Sequence, residues 1–171
     1  MFRSLRPVRA GAALLAAALL SLARADTAPA QTAARQPPAG AVAIIAHPRT
    51  PVNGLTLAEL RQVFLGEQRY WRDRTRIQLV ARVPEASERR VVLHVIYNNM
   101  TEAQYSRFWT GKQTRVEGSS PWPAFNSETA REMVAARQGA ITFVPARQTT
   151  TGVKVLRIDG KLPGDPGYPL Q

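Results

Sequence analysis

Between positions 82 and 90 the chain places Arg82, Ser87, Glu88, Arg89 and Arg90, in the stretch "ARVPEASERR" that joins an apolar run to a valine-rich segment. A serine at a helix start, free backbone N–H groups and a neighbouring guanidinium make up the chemistry that holds an oxyanion. The helix dipole adds partial positive charge at its amino end, and an arginine offers two parallel donors. The candidate ligands are therefore Arg82, Ser87 and the backbone of Glu88, Arg89 and Arg90. The plain alternative is that Ser87 only caps its helix and the arginines are solvated. Weaker hydroxyl and amide candidates are Thr50, Asn53 and Thr149, the last beside Arg147 in a Thr-rich turn.

Other chemistry is not indicated. The two histidines, His47 and His94, have no ligand at metal-binding spacing, and no cysteine is present, so no metal site is expected. No phosphate-binding glycine loop, dinucleotide fingerprint or nucleophile elbow occurs, and the acids sit mostly at helix starts. No catalytic residue and no cofactor are expected. Trp71, Trp109 and Trp122 read as core residues rather than a crevice lining.

The elements that must position this stretch are well marked. "AVAIIA" (41–46), "RIQLVAR" (76–82) and "AITFVP" (140–145) read as buried strands, and "VKVLRI" (153–158) as an edge strand. The best helix signal is at 56–66, with Thr56 and Glu59 as a capping box, Leu55 and Leu60 as a staple, and Gly66 as the stop. Ser87 is expected to cap a helix with Val91, Val92, Val95 and Ile96 inward. Thr101 and Gln104 should open another, with Tyr105, Phe108 and Trp109 buried and Gly111 at its end. Ser127 should cap a fourth, with Ala130, Met133 and Val134 inward and Gly139 as its stop. "VEGSSPWPAFN" (116–126), with two prolines, reads as irregular. Strands alternating with helices predict an α/β fold, one three-layer domain with a mainly parallel sheet.

The ends are expected to be of another kind. Residues 1–25 carry arginines and then a short apolar run, and read as a signal peptide cleaved near Ala25. Residues 26–40 read as a disordered Ala/Pro-rich linker, 41–160 as the folded domain and 161–171 as an irregular tail. Removing four of the 23 basic residues and none of the 12 acids lowers the net charge from +11 to +7. The predicted compartment is periplasmic or extracellular, with no stable membrane anchor. Export argues against nucleic acid and leaves small anions, anionic envelope polymers or lipid head groups as partners.

"LTLAELRQVFLGEQRYWRDRTRIQLVAR", then "FWTGK", then "GAITFVP", resembles the substrate-binding proteins of phosphate ABC transporters, above all their short single-domain members. The resemblance covers about residues 41–160. It implies one lobe of a type 2 periplasmic binding protein (the PBP-like domain), phosphate or a similar oxyanion as ligand, and an ABC permease as partner. Arg82 falls at the family's arginine and Ser87 nearest its first serine. No glycine or threonine follows, and Glu88 stands where a carboxylate would repel phosphate. The same fold with a degenerate site would be an envelope interaction or scaffold module, and an envelope protein would then be the partner.

Overall fold

The computed structural model describes residues 37–113 and 120–171; the expected signal peptide and most of the linker lie outside them. Five strands form the central sheet in the order β4-β3-β5-β1-β6. These are β1 (Val42–Ala46), β3 (Gln78–Arg82), β4 (Trp122–Ala124), β5 (Ala140–Pro145) and β6 (Lys154–Val155). β3 pairs parallel with both β4 and β5, while β1 lies antiparallel between β5 and β6. Four strands thus run one way and β1 alone opposes them, so the sheet is mainly parallel, as the sequence predicts. A separate parallel pair joins β2 (Gly54–Leu55) to β7 (Arg157–Ile158). The run 153–158, read as one edge strand, therefore divides between two sheets.

Alternation along the strands produces three layers. Val42, Ile44, Ile141, Phe143 and Leu79 face one side, together with the buried residues of α1 (Leu57–Phe64), α2 (Ser87–Val95) and α3 (Glu102–Gln113). Ala43, Ile45, Val80 and Val144 face the other side, against Ala130 and Val134 of α4 (Ser127–Ala136). Both faces are covered, which is why the strands read as continuous apolar runs.

Most helix signals act as predicted. Thr56 Oγ1 accepts from Glu59 N–H and the Glu59 carboxylate accepts from Thr56 N–H, closing the box, and Gly66 has φ 64°. Thr101 and Gln104 close a second box. Trp71 and Trp109 are core residues, and Trp122 is half-buried.

Four details differ. The caps of α2 and α4 fall one residue early. Ala86 caps α2 without a side-chain bond, and Asn126, an equally good capping residue, accepts from Thr129 N–H at 2.7 Å. Gly111 lies inside α3 rather than ending it, because an exposed helix absorbs one glycine at about 1 kcal/mol. β4 forms despite Pro123, because an edge strand needs only one side of its backbone paired. In α2, Leu93 is buried, whereas Val91 and Val95 are half-buried. The tail 161–171 has no regular element, yet it completes the core. Tyr168 and Leu170 are buried, Tyr168 Oη donates to the Val42 carbonyl at 2.8 Å, and Val42 N–H donates to the Leu170 carbonyl.

Candidate functional site

β3 ends at Arg82, at the carboxyl edge of the parallel strands where open α/β sheets leave their ligand crevice. A turn closed by Ala86 N–H on the Val83 carbonyl leads into α2. One row of α2 is Glu88 and Val92, continued by Ile96 at its C-cap, and the next is Arg89 and Leu93; all five are buried. The charged residues at the helix start therefore continue its buried stripe instead of standing in solvent.

Each buried charge has a partner. Arg82 Nε donates to Glu88 Oε1 at 2.8 Å, and its Nη1 donates to the Ala124 carbonyl at 3.0 Å. Ser87 is exposed, and its hydroxyl turns back to Glu88 Oε2 at 3.3 Å. Arg89 grips Glu102 with two parallel bonds, Nε to Oε1 at 2.6 Å and Nη2 to Oε2 at 2.8 Å. A third donor of Arg89 reaches the Arg82 carbonyl, and its guanidinium lies 4.3 Å from the Tyr105 ring centre. Burial is the largest single influence and works against the Arg89 charge, but Glu102 and Tyr105 together outweigh it and raise the pKa. Burial also raises Tyr105, and it pushes Tyr97, edge-on to Tyr105, well above the usual phenol value.

Of the sequence candidates, Arg82, Ser87 and Glu88 come together in one cluster. Arg89 is directed to Glu102 and Tyr105, and Arg90 is exposed. Thr50 and Asn53 follow β1, whose antiparallel course carries its carboxyl end to the amino end of β5, away from Arg82. Thr50 is buried there, with Oγ1 unbonded and its carbonyl accepting from Lys154. Thr149 donates to the Ala146 carbonyl, and Arg147 to the Pro37 carbonyl. Sequence reasoning did not find Glu102, Tyr105 or the Ala124 carbonyl as members of the network. The acid opening α3 was visible, but its pairing with Arg89 depends on how α2 and α3 pack.

Two spaces flank the cluster. An open depression of about 410 Å³ lies beside Gly40, Ala41, Ser87, Arg90 and Pro145. A second, about 260 Å³, is bordered by Arg82, Arg89, Tyr105, Trp109 and three prolines. Among the described residues no group of acids and histidines could hold a metal ion, and no helix is long and apolar enough to cross a membrane.

The fold is that of one lobe of a phosphate-binding protein. A phosphate ABC transporter substrate-binding protein with bound phosphate from Clostridium perfringens superposes with a TM-score of 0.58 at 16% identity, over 72% of this chain and 46% of that one. An ABC-type phosphate transport receptor from Vibrio cholerae gives 0.62 at 17%, over 76% and 52%. A phosphate-binding protein from Stenotrophomonas maltophilia gives 0.57 at 16%, over 74% and 41%. The chain thus spans about half the length of the structures it matches. No family model matches it, and no curated protein matches it in sequence.

Proposed function

We propose that the protein is a non-catalytic lobe of the solute-binding type, exported to the cell envelope, in which its own Glu88 carboxylate fills the oxyanion position. It acts there as an envelope interaction module rather than as a receptor for free phosphate. One observation carries this reading: the 2.8 Å ion pair of Arg82 with Glu88, both buried. An arginine with a bonded carboxylate offers little further attraction to a phosphate. The like charge of Glu88 opposes that anion directly.

The second reading, capture of phosphate for an ABC permease, draws on the ligands of the structural neighbours and on the depression beside Ser87 and Arg90. Calorimetry on the processed protein with phosphate, sulfate and molybdate separates the two. Heats of dilution alone at millimolar anion are expected for the native protein, with binding emerging in Glu88→Ser. Saturable phosphate binding by the native protein that Arg82→Ala abolishes would overturn the interaction reading in favour of transport.

A further inference from the structure

At the other end of the sheet, the loop between α1 and β3 carries charge that the Arg82 network does not use. It reads "RYWRDRTR" from Arg69 to Arg76, with arginine at every second or third position. Its shape is fixed from inside. Trp71 is 3% exposed, its indole N–H donates to the Gly139 carbonyl at 3.1 Å, and its backbone N–H donates to the Thr75 carbonyl. Asp73 accepts from Thr75 N–H at 2.9 Å, Arg74 turns the chain at φ 66°, and Tyr70 bridges to Arg76.

Trp71 is the inward anchor and Thr75 is half-buried, while the charged side chains of the turn are exposed. Arg69, Arg72 and Arg74 are exposed, and Tyr70 is 54% exposed. None of these three arginines belongs to the two ion pairs found among the described residues. The nearby acids are Glu67, Asp73, occupied within the turn, and Glu59, which feels Arg72 but is bonded to Thr56. Arg137, stacked 4.1 Å over Trp122, adds a further cation at this end of the strands.

We propose that this loop is a docking surface for an anionic lipid bilayer. Arg69, Arg72 and Arg74 are all exposed within six residues, so their charge is open to a surface that carries many phosphates at once. The cavity behind it holds only about 40 Å³, room for a few waters and not for a peptide side chain. A half-exposed tyrosine among arginines suits the head-group region, where an apolar ring with a polar tip is favoured. Each arginine near an anionic surface strengthens partitioning about fivefold. The surface lies at the amino ends of β3 and β5, opposite Arg82, and does not depend on what Glu88 does.

Co-sedimentation of the processed protein tests this, with vesicles of one part phosphatidylglycerol to two parts phosphatidylcholine in about 0.1 M salt. Binding is expected there and not with phosphatidylcholine alone. Arg72→Ser with Arg74→Asn, asparagine being tolerant of positive φ, should weaken it about thirtyfold with an unchanged circular dichroism spectrum. Arg107→Ser with Arg157→Ser removes equal charge elsewhere and should leave it nearly intact. Equal loss in both pairs would reduce the effect to net charge and overturn the proposal. So would binding of polyglutamate or an oligonucleotide through the loop by a protein that ignores the vesicles.

Discussion

Replacing Glu88 with glutamine isolates the charge from the shape, because the side chain keeps its volume and one acceptor for Arg82. Arg82 would remain buried, bonded to the Ala124 carbonyl, with its charge no longer balanced. Two opposite charges about 4 Å apart at an effective dielectric near 20 interact by about 4 kcal/mol. Stripping one partner from a buried pair costs about 3–5 kcal/mol. Arg89, already committed to Glu102, lends no relief. For a domain of this size, Tm should therefore fall by roughly 10–20 °C. Urea unfolding should show a lower midpoint at unchanged slope. Arg82→Met with Glu88→Leu, which removes both charges, should recover most of the loss. Millimolar phosphate or sulfate should raise the Tm of Glu88→Ser and not that of the native protein. If Glu88→Gln is as stable as the native chain and the double replacement is worse than either single one, the reasoning about this pair is wrong.

Further outcomes follow from elements away from the site. Gly139→Ala should destabilise by at least about 2–4 kcal/mol in urea unfolding. Its φ is 87°, and a Cβ there would lie 2.9 Å from Thr75 Cγ2 and tighter still against the Arg76 carbonyl. Thr56→Ala should cost about 1 kcal/mol at neutral pH through loss of the cap. The bonds from Thr56 hold Glu59 below the usual carboxylate pKa. That contribution is present above the unfolded value and is lost as pH falls through the folded one, so the gap between variant and parent should narrow in acid. Burial raises Tyr97, Tyr105 and Tyr168, so the stability they contribute is full below about pH 10 and is lost as pH rises beyond it. Ultraviolet titration should show these three ionising together with alkaline unfolding, and Tyr168→Phe should cost about 1–3 kcal/mol by orphaning the Val42 carbonyl.

Local signals carried much of the fold. Thr56 with Glu59 and Thr101 with Gln104 declare helix starts because each box is closed by residues three apart. The apolar runs at 41–46 and 140–145 declare buried strands because both faces of the sheet are covered. What stayed hidden depends on distant packing. The antiparallel course of β1, set by pairing with β5 almost a hundred residues later, leaves no local trace. The edge position that admits Pro123 and the core role of Tyr168 are of the same kind. At the site, the stretch 82–90 was legible as a place where charge and a helix start meet. That Glu88 turns inward to Arg82 depends on the burial of that face of α2. Sequence carries the charge of Glu88 but not its bond to Arg82.

The central claim is that Arg82 is already satisfied by Glu88, and the Nε–H resonance of Arg82 reports on it directly. In a nitrogen–proton correlation spectrum of the native protein, this signal should be protected from exchange and should stay in place as phosphate is added to millimolar concentration. A saturable phosphate-dependent shift of that resonance would contradict the account, because it would mean that the guanidinium exchanges its internal carboxylate for a free anion.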